Sequence, residues 1–301
     1  MPINPPKTAT EPAQCGFGTR LRSLIGVRGP LCVGIDPHPE LLRAWGCSQD
    51  VRGVERFALG AVDALAPVAA VIKPQSAFFE RYGSRGIAVL ERVLVAAREG
   101  GALVLLDVKR GDIGSTMAGY AAAYLDDGAP LAADAITVSP YLGIGALDPA
   151  FELAGRTGRG VFVLALTSNP EGAAVQAAMT GTGTTVAQAV VDAVAARNAG
   201  RRPAGDFGVV VGATAPVETL RLDGLNGPIL VPGIGAQGAR VRDLRQLFGT
   251  AAPHVVASIS RELLAHGYQP ELLRRAAERV AGEAASLLHP GWGRSAGIPP
   301  G

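Results

Sequence analysis

Short apolar runs alternate with longer amphipathic segments along most of this chain. Each apolar run is bounded by Gly, Pro or a polar turn, which is typical of a strand buried on both faces. The predicted strands cover residues 31–36, 68–73, 102–108, 133–138, 161–166, 207–212, 228–231 and 254–259. Eight alternations over roughly 250 residues predict a (β/α)₈ TIM barrel of the α/β class, although an open doubly wound sheet would show the same local pattern.

The segments between and around these strands define the predicted domain organisation. Amphipathic helices are predicted at residues 54–66, 84–99, 116–125, 184–198 and 270–285. No change of composition divides residues 19–288, so this span is predicted to be one barrel domain that carries the catalytic site. Residues 1–18 form a predicted flexible arm and residues 289–301, with Gly and Pro throughout, a predicted flexible tail.

Composition and charge exclude several classes of protein. Lys plus Arg number 28 and Asp plus Glu 26, a formal charge of +2, which gives no signal for binding nucleic acid or an anionic membrane. No apolar stretch is long enough to cross a bilayer, and the start of the chain lacks the apolar run of a signal peptide. Cys15, Cys32 and Cys47 are odd in number and have no metal-type spacing, which favours a cytoplasmic protein over a disulfide scaffold.

The third predicted strand leads into the most highly charged turn of the barrel. The stretch 103–120, LVLLDVKRGDIGSTMAGY, places Asp107, Lys109 and Asp112 close together before a predicted helix. Side chains alternate along a strand, so Asp107 and Lys109 share one face. Opposite charges there are common where a reaction needs a fixed field, whereas a strand-end ion pair that only orients a loop is the alternative.

Polar residues also close the other predicted strands. Asp36 ends the first, Lys73 ends the second just before a proline, and Ser168 and Asn169 follow the fifth. The carboxyl ends of barrel strands converge and carry the chemistry, so these side chains are predicted to meet the charged pair of the third strand. Taken alone, Asp36 could be a turn residue before proline, and Lys73 could extend to solvent.

A glycine-rich turn follows the seventh predicted strand. Residues 232–238, PGIGAQG, contain the spacing G-x-G-x-x-G, but the next strand lacks the acidic residue that a dinucleotide site requires. A phosphate cradle of backbone N–H groups is therefore the favoured interpretation. Arg261 follows the eighth strand through serines that could cap a helix, which would aim it at the same region; an ordinary surface arginine is the alternative.

The longest connection is a candidate lid. It runs from residues 167–172 into a Gly/Thr-rich stretch at 179–185, and a merely flexible loop is the default interpretation. The histidines show no metal-ligand spacing and the chain has no Ser/His/Asp signature, so zinc and acyl-transfer chemistries have no support.

These motifs together resemble one known family. The D-x-K-x-x-D-I of residues 107–113 with Thr116, the I-K-P-Q around Lys73, the glycine-rich turn at 232–238 and the Ser-Arg at 260–261 are similar to orotidine 5′-phosphate decarboxylase in its longer bacterial form. The resemblance spans residues from about 30 to 265. It implies a (β/α)₈ homodimer with shared active sites that converts orotidine 5′-monophosphate to uridine 5′-monophosphate and CO₂ without metal or organic cofactor.

The resemblance also implies a role for each matching residue. Lys109 would donate the proton to the carbon that loses CO₂, and Asp107 would lie against the substrate carboxylate. Lys73 and Asp112 would complete an alternating array of charges, with Asp112 supplied across the dimer interface. Asp36 and Thr116 would bind ribose groups, and Ser168 would contact the pyrimidine edge. Gln237, Arg261 and the backbone around Gly238 would bind the phosphate, and Pro232 is also expected to bind the substrate.

Two alternatives remain open at this point. A magnesium-dependent decarboxylase or aldolase acting on a sugar phosphate could use the same barrel and the same D-x-K-x-x-D pattern. Such an enzyme would be expected to carry a metal-binding acid at strand two, where Lys73 stands. A catalytically silent phosphate- or nucleotide-binding protein is the other alternative, but it would have no reason to keep all four charges together.

Overall fold

The computed structural model describes residues 15–235, 238–265 and 267–289. Its parallel strands pair in sequence order and close into a barrel, with β8 against β1. The strands are β1 Leu31–Ile35, β2 Val71–Pro74, β3 Leu103–Arg110, β4 Ala135–Val138, β5 Gly160–Leu166, β6 Phe207–Val211, β7 Ile229–Val231 and β8 Val255–Ile259. The predicted TIM barrel is confirmed. The pairing of β1 with β8 excludes the alternative fold, an open doubly wound sheet.

Helices surround the barrel and connect its strands. They are α1 Phe17–Arg28, α2 Pro39–Ala44, α3 Val51–Leu65, α4 Ala77–Glu80, α5 Gly83–Glu99, α6 Gly114–Leu125, α7 Asp148–Thr157, α8 Ala173–Gln176, α9 Val186–Asn198, α10 Leu244–Phe248, α11 Arg261–Leu264 and α12 Pro270–Leu288. The predicted first and last residues of these strands and helices differ from the observed ones by at most three positions. Differences of this size are expected, because hydrogen bonding changes gradually at the end of an element. The connection from β6 to β7 contains a 3₁₀ turn, Val217–Thr219, and no α-helix.

The two faces of each strand pack against different layers. Along β3, Leu103 and Leu105 point into the barrel interior, where they join a cluster with residues of the other strands. Val104 and Leu106 point outward into the larger core shared with the surrounding helices. This alternation is the predicted one, and it turns Asp107 toward the interior at the carboxyl end of the barrel.

Helix α1 closes the opposite, amino-terminal end of the barrel. Phe17 is fully buried and meets Phe162 of β5 edge-on, with ring centroids 5.8 Å apart. The backbone N–H of Gly18 donates to Asp206 Oδ1 at 2.9 Å, which fixes the start of the helix. Because α1 begins at Phe17, residues 17 and 18, which the sequence placed in the flexible arm, are part of the packed domain; residues 1–14 and 290–301 lie outside the described residues.

None of the described helices is both long and apolar enough to cross a membrane.

The closing helix gives a test of the fold. Phe17→Ala should lower the free energy of unfolding by about 3–5 kcal/mol, because it removes a fully buried ring and leaves a cavity under the barrel. Val27→Ala on the same helix is the matched control, since Val27 is 70% exposed and its truncation should change stability by less than about 0.5 kcal/mol. Urea unfolding followed by circular dichroism measures both; equal effects of the two substitutions would contradict this account of α1.

Candidate active site

One buried carboxylate joins two lysines at the carboxyl end of the barrel. Lys109 Nζ lies 2.6 Å from Asp107 Oδ1, and Lys73 Nζ lies 3.3 Å from Asp107 Oδ2. Asp107 is 8% exposed, so its charge depends on these partners rather than on water. Lys73 at the end of β2 was predicted to lie beside Asp107 of β3, and it does. The two side chains come together because β2 and β3 are adjacent parallel strands.

The backbone at Lys109 has an unusual conformation. Its φ is +46°, in the left-handed region that a residue with a side chain rarely adopts, and the pairing of β3 with β4 is irregular between Leu106 and Arg110. Thr137 of β4 holds this turn: its Oγ1 accepts from the Lys109 backbone N–H at 3.0 Å and donates to Asp107 Oδ1 at 2.7 Å. The irregular strand end therefore aims Lys109 across Asp107.

Sequence reasoning did not identify Thr137. Its signal was available, because Thr137 is the polar residue inside the otherwise apolar run AITV of β4 and is almost fully buried. A polar side chain in a strand buried on both faces needs a hydrogen-bond partner, and the neighbouring strand offers one. His38, Gln75 and Ser258 also line the site and were not predicted.

Lys73 is buried between two acids. It is 5% exposed, and its Nζ lies 4.0 Å from Asp36 Oδ1 as well as 3.3 Å from Asp107. Burial disfavours its charged form, but the charges of Asp36 and Asp107 outweigh this and raise the pKa of Lys73 above its ordinary value. The alternative in which Lys73 extends to solvent is therefore wrong, because its ammonium group is buried between the two acids and stays charged.

Asp107 is held in its ionised form. Burial favours the neutral acid, but the charges of Lys73 and Lys109, together with hydrogen bonds from Lys109 and Thr137, lower the pKa of Asp107 to about 2. Asp36 is also buried, and its Oδ1 has no hydrogen-bond partner among the described residues. A buried acceptor without a hydrogen-bond partner is suited to a ligand hydroxyl group.

These groups face a cavity of about 290 Å³ at the mouth of the barrel. Pro232 and Gly233 after β7 and Arg261 after β8 line the same cavity as the two lysines, which brings the predicted phosphate end next to the charged array. Arg261 is the first residue of α11 and is exposed. The predicted serine cap is wrong for Ser260, because its side chain accepts no hydrogen bond from the backbone N–H groups of α11; its hydroxyl donates to Gly34 O at 3.0 Å.

The glycine-rich turn is shaped by left-handed backbone angles. Gly233, Gly235 and Gly238 have φ values of +95°, +77° and +90°, which explains why glycine stands at each position. The N–H of Gly235 donates to Ala239 O and that of Gly238 to Gly235 O, so both groups are used inside the turn. Gln237, predicted to bind the phosphate, lies outside the described residues.

Thr167, the first residue of the candidate lid, lies at the site. Thr167 lines the cavity, and the Gln176 side chain accepts from its backbone N–H at 2.9 Å and donates to its Oγ1 at 2.8 Å. Ser168 follows and is half-buried. Farther out, Met179 pairs with Thr185 in an isolated antiparallel bridge. The connection thus has a fixed base beside the cavity and an exposed tip.

Asp112 and Thr116 do not join the charged array of their own chain. Asp112 accepts from the backbone N–H of Ile113 at 2.8 Å, and no described lysine or arginine forms an ion pair with it. Thr116 is exposed on α6. The array within one chain therefore consists of Asp36, Lys73, Asp107 and Lys109, with Asp36 and Lys109 at its two ends.

The low pKa of Asp107 predicts how stability depends on pH. Because folding lowers this pKa from 3.8 to about 2, its contribution is complete above about pH 4 and is lost as the pH falls through about 2. Asp107→Asn should therefore cost about 2 kcal/mol at pH 7, and the difference from the unsubstituted protein should shrink below pH 4. Urea midpoints across pH 3–8 measure it, with Asp63→Asn on the exposed side of α3 as control. A difference that grows as the pH falls would contradict the assignment.

Comparison with known proteins places the chain in a family. The model of the orotidine 5′-phosphate decarboxylase / HUMPS family matches residues 29–271. An orotidine 5′-phosphate decarboxylase of Salinispora tropica is 60% identical over 272 residues, which cover 90% of this chain and 98% of that protein. One of Streptomyces coelicolor is 57% identical over 267 residues, covering 89% and 96%. A crystal structure from Streptomyces avermitilis with the same assignment is 55% identical, with a TM-score of 0.89 and coverage of 92% and 97%. The resemblance seen in the motifs is thus confirmed across the whole barrel, and the chain belongs to the orotidine 5′-phosphate decarboxylase / HUMPS family.

Proposed function

We propose that this protein is a carboxy-lyase that converts orotidine 5′-monophosphate to uridine 5′-monophosphate and CO₂, the last step of de novo UMP synthesis. The observation that carries the proposal is the buried carboxylate of Asp107 between Lys73 and Lys109, in a cavity that Arg261 also lines. Relatives that are 57–60% identical over about nine-tenths of the chain bear the corresponding name, which supports the same reaction here.

The charged array fits the difficulty of this reaction. Loss of CO₂ from the pyrimidine ring leaves a carbanion with no adjacent carbonyl group to delocalise it, so the barrier must be lowered toward the upper end of the roughly 8–23 kcal/mol that enzymes supply. A fixed ammonium group near that carbon stabilises the transition state, in which negative charge develops on the carbon, more than the ground state, in which the charge lies on the carboxylate. Lys109 is suited to this role, because Asp107 and the turn at Thr137 hold its side chain in place while 44% of it remains exposed to the cavity.

Protonation completes the proposed step. The carbon–carboxylate bond breaks, its electron pair stays on the ring carbon, and an Nζ proton of Lys109 then moves to that carbon. Asp107 is ionised throughout the neutral range because of its low pKa, so it keeps Lys109 oriented and disfavours a second carboxylate beside it. Lys73 holds Asp107 from the buried side. The protein supplies the charges that act on the substrate in this scheme, and no metal or organic cofactor is needed.

The remaining predicted residues account for binding of the nucleotide. Asp36 has a buried oxygen without a hydrogen-bond partner among the described residues, which suits it to a ribose hydroxyl. Arg261 would bind the phosphate together with Gln237 and the backbone around Gly238, and Pro232, which lines the same cavity, would contact the nucleotide. Ser168 would contact the pyrimidine edge from the base of the lid, and phosphate binding at Arg261 would favour lid closure over the ring.

A homodimer with shared sites forms part of the proposal. Asp112 and Thr116 form no ion pair with the array of their own chain, and exposed apolar side chains lie nearby. Ile113, Tyr141 and Leu142 are 62%, 78% and 51% exposed. Apolar groups of this size on a surface favour association. An isologous contact through this face would carry Asp112 of each chain to the neighbour's Lys73 and Lys109, and Thr116 to its ribose site.

The sugar-phosphate alternative is not favoured. The site has Lys73 where a metal-binding acid would be expected on the second strand, and this lysine is held between Asp36 and Asp107.

The cytoplasmic location predicted from the cysteines, which are all free in the structure, stays part of the proposal.

Substitution of the proton donor tests the proposed chemistry. Lys109→Ala should lower turnover of orotidine 5′-monophosphate by at least about a thousandfold, because it removes the charge that stabilises the carbanion and the acid that quenches it. Binding of uridine 5′-monophosphate should change by less than about tenfold, since the product bears no charge at that carbon. Loss of the orotate ultraviolet band measures turnover, and calorimetric titration measures product binding. Near-native turnover in Lys109→Ala would refute the assignment.

Mixed dimers test the shared sites. Lys109→Ala and Asp112→Ala should each be inactive alone, whereas refolding them together in equal amounts should restore roughly a quarter of the unsubstituted activity. Half of the dimers would then be mixed, and each would contain one site with both native residues. A mixture no more active than its components would show that Asp112 acts within its own chain or not at all.

A further inference from the structure

The residue after Lys109 connects two loops of the site without entering the cavity. Arg110 Nη2 donates to Glu80 Oε1 at 2.5 Å. Glu80 is the last residue of α4, the short helix that follows β2 and its buried Lys73. The cavity at the mouth of the barrel is lined by neither Arg110 nor Glu80. This ion pair therefore ties the loop after β2 to the end of β3 from the outside.

The short helix α4 is fastened to β3 on both sides of Lys109. At its start, the backbone N–H of Ser76 donates to Asp107 O at 3.2 Å, and Gln75 pairs with Asp107 in a parallel bridge. At its end, Glu80 binds the side chain of Arg110. Lys109 lies between these two attachments, so a loss of either would free one side of its turn.

The turn at Lys109 needs such support. A lysine with φ of +46° is strained, and strained backbone persists only where several neighbouring contacts fix it. Thr137 Oγ1 accepts from the Lys109 N–H, and Ser139 N–H donates to Arg110 O at 2.8 Å. These contacts hold the backbone against β4, and the Arg110 side chain holds it from the opposite side through Glu80.

The same guanidinium group also contacts the helix that follows. Arg110 Cζ lies 5.6 Å from the centroid of the Tyr120 ring on α6. Asp112 lies between Arg110 and this helix in the chain, so the contact limits how far its loop can move. The guanidinium group of Arg110 therefore contacts Glu80 and Tyr120, and it forms no ion pair with Asp112.

We propose that Arg110 and Glu80 are positioning residues that fix the turn at Lys109, and with it the place of the Lys109 ammonium group and of Asp112, without touching the substrate. The inference rests on the proposed decarboxylase function. The proposed role of this ion pair is to fix the position of Lys109 and not to stabilise the fold, because partly exposed ion pairs contribute little to the free energy of folding. A displacement of about 1 Å at a reacting group can nevertheless lower a rate about a hundredfold.

The test compares the two members of the pair with a matched ion pair elsewhere. Arg110→Met and Glu80→Gln should each lower kcat for orotidine 5′-monophosphate by about 10- to 100-fold and change KM by less than about threefold. The double variant should be no worse than the poorer single variant, because both substitutions break one contact. Arg92→Met is the control: it removes a 2.8 Å ion pair to Glu55 between α5 and α3, away from the cavity, and should leave kcat unchanged.

Hydrogen exchange separates this inference from the proposed function. Arg110→Met and Glu80→Gln should speed amide exchange at residues 107–112, whereas Arg92→Met should not, whatever reaction the protein catalyses. An inactive unsubstituted protein with this exchange pattern would refute the decarboxylase and keep the positioning pair. Should Arg110→Met fail to fold, Glu80→Gln decides the matter alone. A Glu80→Gln protein with native kcat and native exchange, or effects of the two substitutions that simply add, would overturn the inference.

Discussion

The carboxylate of Asp107 is the group on which the site depends. It is buried, it contacts the ammonium groups of both Lys73 and Lys109, and Thr137 donates to it as well. None of these charges could be buried alone without a large cost, and each is stabilised by its neighbour of opposite sign. The result is a fixed electrostatic field at the mouth of the barrel, present before a substrate arrives. Preorganised charge of this kind is the main way in which proteins stabilise a charge that develops during a reaction.

Much of this arrangement could be predicted from the sequence, for a simple geometric reason. Apolar runs with a regular spacing predict parallel strands, and the carboxyl ends of parallel strands in a closed barrel meet at one mouth. Lys73 and Asp107 stand at such ends, so their contact follows from the topology. The period of two along β3 likewise predicted which side chains point inward, as Leu105 and Leu106 illustrate.

Other features depend on contacts between distant segments, which a single sequence does not reveal. The left-handed turn at Lys109 and its support by Thr137 arise from an irregular pairing of β3 with β4. Ser260 was predicted to cap a helix, but its hydroxyl donates to the backbone carbonyl of Gly34 in β1, the strand that pairs with β8. The start of α1 at Phe17 depends on the apolar floor that Phe162 provides. The role proposed for Asp112 involves a second chain, so only the motif resemblance suggested it.

Turnover by the unsubstituted protein with excess chelator tests the central claim most directly. Orotidine 5′-monophosphate is added with and without ethylenediaminetetraacetate, and loss of the orotate ultraviolet band is followed. We predict the same rate in both samples, because the charge proposed to stabilise the carbanion is the ammonium group of Lys109, which Asp107 and Lys73 hold in place without a metal ion. Absence of any change in the band, or turnover that chelator abolishes and magnesium restores, would contradict it and return the sugar-phosphate alternative.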